Sequence, residues 1–194
     1  MNRASIARGA YGVALTLIVA ALTHFIVLLT LPTVAEHDAY ARVETHAAPF
    51  KTVAVPAASS IEHAFPYLDP AVAAAICRYE LGNGPVRVRA PLGRAGFASL
   101  SFHSRRGTVF YALTDRAASK GRMEALIVTA EQLRAMISRD DEDNPSEDLR
   151  IVSPTAQGFV MTRVLSASPD TLALAADEAG AMTCTPEPIA EAEK

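Results

Sequence analysis

Two hydrophobic patterns divide the chain. Between Gly9 and Leu31 no charged side chain interrupts an apolar run, and a run of about 22 residues matches the ~20 needed to cross a bilayer core as a helix. Beyond it the apolar residues fall into short periodic groups. Cys77, Tyr79 and Leu81 alternate with Arg78 and Glu80; past Gly82-Asn83-Gly84-Pro85, Val86 and Val88 alternate with Arg87 and Arg89. Period two on both sides of a glycine-rich break predicts a β-hairpin. Segments 97–103 and 108–113 flank Ser104-Arg105-Arg106-Gly107 and predict a second hairpin. RMEALIV from Arg122, LRIVS from Leu149 and GFVMTRVLS from Gly158 predict three further strands.

Three short helices are expected among these strands. Asp69 as N-cap with Pro70 at the first helical position predicts a helix over AVAAAI. Thr129 and Gln132 have the spacing of a capping box ahead of LRAMI. Ser168-Pro169-Asp170 opens TLALAADEAGAM, which leads to Cys184. Strands in runs with a few helices between them predict an α+β fold: one N-terminal transmembrane helix, then one β-rich extracytoplasmic domain. The expected organisation is a cytoplasmic N-terminus over 1–8, the span over 9–31, a stalk over 32–60, the domain over 61–184 and a disordered tail over 185–194. Mixed charge with Ala, Pro and Ser and no sustained apolar period underlies the stalk and tail assignments.

Charge orients the span. Arg3 and Arg8 precede it while Glu36 and Asp38 follow closely, which predicts the N-terminus in the cytoplasm and the remainder outside. A cleaved signal peptide is the alternative, with Thr33-Val34-Ala35 supplying small residues for cleavage. The apolar run exceeds the roughly 7–15 residues of a signal core, which favours an anchor. His24, inside the span, is expected to hydrogen-bond locally or reach the interface. In an oxidising compartment Cys77 and Cys184 read as a disulfide, although two buried thiols would leave the same sequence.

Catalytic signatures are not found. There is no GxSxG, Walker, dinucleotide-binding or HExxH pattern. The glycines of LGNGPVRVRAPLGRAGF are followed by a strand pattern, so no helix N-terminus is aimed at a phosphate. His24, His37, His46, His63 and His103 lack metal-ligand spacing, and no cofactor is expected. In the acidic stretch RDDEDNPSED, Pro145 and Ser146 fall where a calcium loop needs a ligand and a turn glycine. The net charge of −3 gives nucleic-acid binding no support. Within 78–122, Arg78, Arg87, Arg89, Arg94, Arg105, Arg106, Arg116, Lys120 and Arg122 face only Glu80 and Asp115. Of these, Arg78, Arg87, Arg89, Arg105, Arg106 and Arg116 are the candidate contacts for an anionic ligand or acidic partner. Internal pairing with carboxylates is the competing account.

The stretches DPAVAAAICRYELGNGPVRVRAP, FASLSFHSRRGTVFYALTDRA and TAEQL, in that order behind an N-terminal anchor, resemble the bacterial inner-membrane proteins of domain of unknown function 1254. The resemblance covers Asp69 to Leu133 most closely. It implies a partner protein from another gene that carries domain of unknown function 1214, and it brings no catalytic residues. The expectation is therefore a non-enzymatic, membrane-anchored periplasmic domain that meets the lipid bilayer and an envelope partner. The alternative is an enzyme or carrier acting on an envelope lipid or glycan, with His103, Tyr111 and Asp115 as candidates in a pocket.

Overall fold

A computed structural model describes residues 3–34, 39–55, 69–93, 95–140 and 147–188. The chain forms two units, divided after His37. The first is helix α1, Arg3–Val34. Its segment Ile6–Leu31 has a mean hydropathy of 2.4 and none of it is buried, so length and composition suit a membrane span. Thr16, Thr23 and Thr30 donate their hydroxyls to the carbonyls of Gly12, Val19 and Ile26 at 2.8–2.9 Å, so these polar groups are satisfied inside an otherwise apolar helix.

The second unit is the α+β domain: α2 (Ala39–His46), β1 (Thr52–Val55), β2 (Val72–Glu80), β3 (Val86–Pro91), β4 (Ala98–Ser104), β5 (Val109–Thr114), β6 (Arg122–Val128), α3 (Ala130–Ile137), β7 (Arg150–Val152), β8 (Gln157–Leu165), α4 (Leu172–Gly180) and β9 (Thr183–Pro186). One sheet has the order β1-β2-β8-β4-β5 and the other β7-β6-β3-β9. All pairings are antiparallel except β6 with β7. One core joins the sheets, with Ala75, Cys77, Tyr79, Leu100 and Phe102 from the first and Val86, Val88, Met123, Ile127 and Cys184 from the second. Cys77 in β2 and Cys184 in β9 are disulfide-bonded with Cα atoms 6.4 Å apart. Ala175 and Ala179, one turn apart on α4, complete this core. A second cluster covers the other face of β2, where Tyr40, Val43 and Ala47 pack on Ala74, Ile76, Phe159 and Met161.

The expected second hairpin is present as β4 and β5. The capping box is formed by Thr129 and Gln132, and Pro169 starts the turn that leads into α4. Two expectations are corrected. AVAAAI lies at the start of β2 and is not helical; Asp69 instead accepts a hydrogen bond from the Ala71 N–H in a turn. Alanine favours helices intrinsically, but here packing decides. β2 is buried on both faces, and small side chains let α2 approach from one side and α4 from the other. Nor is Cys77 to Arg89 a hairpin. β2 pairs with β1 and β8, whereas β3 pairs with β6 and β9. The Gly82–Pro85 turn carries the chain from one sheet to the other, with Gly84 at φ 141°.

The domain also begins before 61 and ends after 184. α2 and β1 lie within the segment expected to be a stalk, and Tyr40 and Val43 are core residues. Thr185 and Pro186 continue β9, and Glu187 reaches back to Arg87. Residues 35–38, 56–68 and 189–194 of the expected stalk, domain start and tail lie outside the described residues.

The disulfide closes a loop of 107 residues, for which the chain-entropy account gives about 4–5 kcal/mol of stabilisation. The Cys77→Ser, Cys184→Ser double variant is therefore expected to unfold with about 2–5 kcal/mol less free energy, measured by urea denaturation followed by circular dichroism. Replacing Ala75, wholly buried in the shared core, with Leu is expected to cost about 1–3 kcal/mol through overpacking, in the same assay.

Candidate functional site

The sandwich separates the arginines that sequence alternation would place on one face. Because β2 and β3 turn their apolar sides toward a common core, their polar sides point outward in opposite directions. Arg78 is buried on the α2 side, 3.1 Å from Glu80 and 3.4 Å from Glu44. It donates to the Ala47 carbonyl and lies over the Tyr40 ring, which Arg105 also covers at 4.0 Å. Arg87 and Arg89 are on the outside of the other sheet. Arg87 is a hub: it bonds Asp148 through both terminal nitrogens at 2.7 and 2.9 Å, Glu124 at 3.1 Å, and Glu187 through Nε and a terminal nitrogen. Arg89 and Arg122 share Glu124 with it. The Glu124 carboxyl is held below its ordinary range by its bonds to Arg122, Arg87 and Arg89.

Arg106 and Arg116 are exposed, one in the β4–β5 turn and the other in the turn after β5. About 20 Å of extended strand separates the two positions. Internal carboxylates thus account for Arg78, Arg87 and Arg89, and no common basic face joins the six candidates. Arg94 lies outside the described residues, as do His37, His63 and most of the acidic stretch.

His103 belongs to a polar pair with Ser101 rather than with Ser104. Its Nδ1 is 3.2 Å from the Gly107 carbonyl, which requires a proton on that nitrogen, and Nε2 is 3.0 Å from Ser101 Oγ. Burial lowers the imidazole pKa, partly offset by the bond to Gly107, so the ring is neutral near pH 7 and Nε2 accepts from the serine. A serine activated by histidine is a nucleophile only with an orienting group and access to substrate. Here the third group is a backbone carbonyl, both side chains are buried, and Phe159 stacks on the imidazole at 4.4 Å. Tyr111 packs on Phe102, on the sheet face opposite His103, and Asp115 lies beyond the far end of β5. The three residues named for a catalytic pocket do not converge. Tyr79, pushed up to about 12 by burial, bonds Ser153 and the His103 carbonyl. A Cβ at Gly158 would overlap the His103 carbonyl oxygen and the Tyr79 hydroxyl, each at 2.2 Å, so glycine is required there.

A concave feature lies elsewhere. A half-open groove of about 660 Å³ runs between the Gly82–Pro85 turn, α3 and the segment after β9, within the size range of ligand sites. Leu81, Pro85, Ala135, Met136 and Pro188 supply a mostly apolar lining, and Glu131, Arg139, Asp140, Arg150 and Glu187 complete the wall. Local chemistry fixes α3 as one side. Gln132 accepts from the Thr129 N–H and donates to the Leu81 carbonyl at 2.8 Å, tying the helix start to the end of β2. Arg150 closes on Asp140 with two bonds of 2.5 and 2.7 Å. The groove draws on segments spread over about a hundred residues, so no motif announces it. Its one signal is α3 itself, an eight-residue amphipathic helix in which no residue is fully buried. Among the described residues no cluster of His, Cys, Asp and Glu is arranged to hold a metal.

An apolar N-terminal helix ahead of a disulfide-linked, two-sheet α+β domain defines the class. The chain belongs to the family described as protein of unknown function DUF1254, whose profile matches residues 52–186, from the first residue of β1 to the last of β9. A crystal structure of the VPA0106 protein from Vibrio parahaemolyticus is similar in fold, with a TM-score of 0.52 and 11% identity over 80% of this chain. An uncharacterized protein from Burkholderia cenocepacia matches over 67% of this chain with 15% identity and a TM-score of 0.42. This chain spans 38% and 35% of the length of those two proteins. No curated protein matches it.

Replacing Arg87 with Gln leaves three carboxylates facing each other and is expected to lower stability by about 1–3 kcal/mol. Because the folded-state pKa of Glu124 is depressed, its contribution is present above the ordinary carboxylate value of about 4.5 and is lost as pH falls through the depressed one. Urea midpoints should be flat from pH 6 to 8 and fall below about 4.5. The Arg87→Gln variant should show a shallower acid decline than the parent.

Proposed function

We propose that this chain is a membrane-tethered module of the bacterial cell envelope that binds a partner protein and carries out no chemistry of its own. Its α1 helix anchors it in the inner membrane with the N-terminus in the cytoplasm, and its domain lies in the periplasm. The observation that carries this reading is the half-open apolar groove beside α3, on a domain whose Ser101–His103 pair is sealed from substrate. The excess of arginine ahead of the span supports the orientation, and the Cys77–Cys184 bond supports an oxidising compartment. Family resemblance makes a protein carrying domain of unknown function 1214 the first partner to test. The groove, rather than the dispersed arginines, is the contact surface in this proposal.

Two measurements test it. A C-terminal alkaline phosphatase fusion should be active, and an inactive fusion would reverse the topology. A photo-crosslinking residue at Met136 should give a discrete protein adduct in intact cells, while one at the exposed Ala112, on β5, should not. No adduct from Met136, or the same adducts from both positions, would overturn partner binding at the groove.

A further inference from the structure

We infer that the corner of the domain formed by the β4–β5 turn and the start of α2 rests on phospholipid headgroups, with Arg106 and Arg42 contacting their phosphates. This depends on α1 being a membrane anchor; it does not depend on the groove or on which side of the membrane the domain lies. Chain length keeps this corner close to a bilayer. Four residues, 35–38, join the last residue of α1 to Ala39, the first of α2, and such a link reaches at most about 18 Å. The three helical residues after Leu31 add about 5 Å. Ala39 is therefore held within about 23 Å of the hydrocarbon edge, and the headgroup layer fills roughly the first 5–8 Å of that distance.

The turn Ser104–Gly107 is fixed to this point. A Cβ on Gly107 would come within 3.2 Å of the Ala39 Cβ, and Arg105 lays its guanidinium over the Tyr40 ring at 4.0 Å. Backbone donors make the turn rigid: Ser104 N–H to the Thr108 carbonyl, Gly107 N–H to the Ser104 carbonyl and Arg105 N–H to Thr155 Oγ1, at 2.9–3.0 Å. His103 adds a bond from Nδ1 to the Gly107 carbonyl, which gives a buried imidazole without access to substrate a positioning role. Arg106 is exposed and Arg42, in the first turn of α2, is half-buried. Among the described residues neither has an ion-pair partner. Glu44, the acid on α2, is engaged by Arg78 at 3.4 Å. Glu36 and Asp38 in the link bring opposite charge, so the attraction is local: a guanidinium forks onto the oxygens of one phosphate. The tether supplies a high effective concentration, and each arginine near an anionic surface shifts the docked-to-free ratio about fivefold.

The test uses the full chain in nanodiscs of phosphatidylcholine and phosphatidylglycerol that contain a lipid with a spin label on its headgroup. Cys77 and Cys184 are bonded, so one added thiol takes a fluorophore: Thr108→Cys beside the turn, or Ala117→Cys beyond the far end of β5, both at exposed positions. The label at 108 should be quenched at least threefold more than the label at 117. Arg106→Ala and Arg42→Ala should each lower the docked-to-free ratio about fivefold, and 500 mM salt should lower it further. Arg116→Ala, at the far end of β5, should leave it unchanged, with circular dichroism verifying that each variant folds. Equal quenching at the two positions, or quenching at 108 that survives the Arg42→Ala, Arg106→Ala double variant, would overturn the inference. A chain that fails to co-elute with the nanodiscs would overturn it through the anchor. Loss of headgroup contact in a chain that does co-elute would remove this inference alone and leave the anchor and partner binding at the groove standing.

Discussion

Burial of β2 on both faces is the constraint from which most of the domain follows. Ala73, Ala75, Cys77 and Tyr79 face the shared core while Ala74 and Ile76 face α2. A strand covered from both sides cannot show the simple alternation of a half-buried one, and it needs small side chains where helices approach closely. Alanines meet that need, with Ala175 and Ala179 of α4 on one side and Ala47 after α2 on the other. Cys77 then lies within the sandwich, where β9 can bring Cys184 to it, so the covalent link joins the two sheets across the core.

The same constraint governs the electrostatics. Arg78 takes an outward position on a strand that has no open outside, and an unpaired buried cation would be expensive. Glu44, Glu80, the Ala47 carbonyl and the Tyr40 ring surround it. On the opposite sheet Arg87 gathers a carboxylate from β6, one from the segment before β7 and one from beyond β9. Arginines that form a cluster in sequence thus hold three distant parts of the chain. Exposed surface pairs contribute little individually; Arg87 differs because its guanidinium is mostly buried and engages several partners at once.

Elements whose cause is local were legible in the sequence. The capping box at Thr129, the β4–β5 turn at Arg105 and Arg106, and the Pro169 turn into α4 each depend on residues a few positions apart. AVAAAI was misread because helix propensity and burial on both sides of a strand favour the same small residues. The Gly82–Pro85 turn was misread because a glycine-rich break permits a reversal without stating whether the next strand pairs with the last or crosses to another sheet. The groove was invisible for a further reason. Leu81, Met136, Arg150 and Pro188 become neighbours only when α3 is tied to Leu81 and the chain returns after β9.

The sequence by itself determined the apolar helix, the α+β character, the local caps and turns, and the cysteine pair available for oxidation. Each follows from composition or short-range spacing, which act before the chain has a tertiary arrangement. Tertiary structure alone decided that β2 and β3 belong to different sheets, that the arginines at 78 and 87 point apart and are neutralised by distant carboxylates, and that a half-open apolar groove lies beside α3. These depend on which faces of the strands are buried together, and period two reports that a strand has two faces without naming what each face meets.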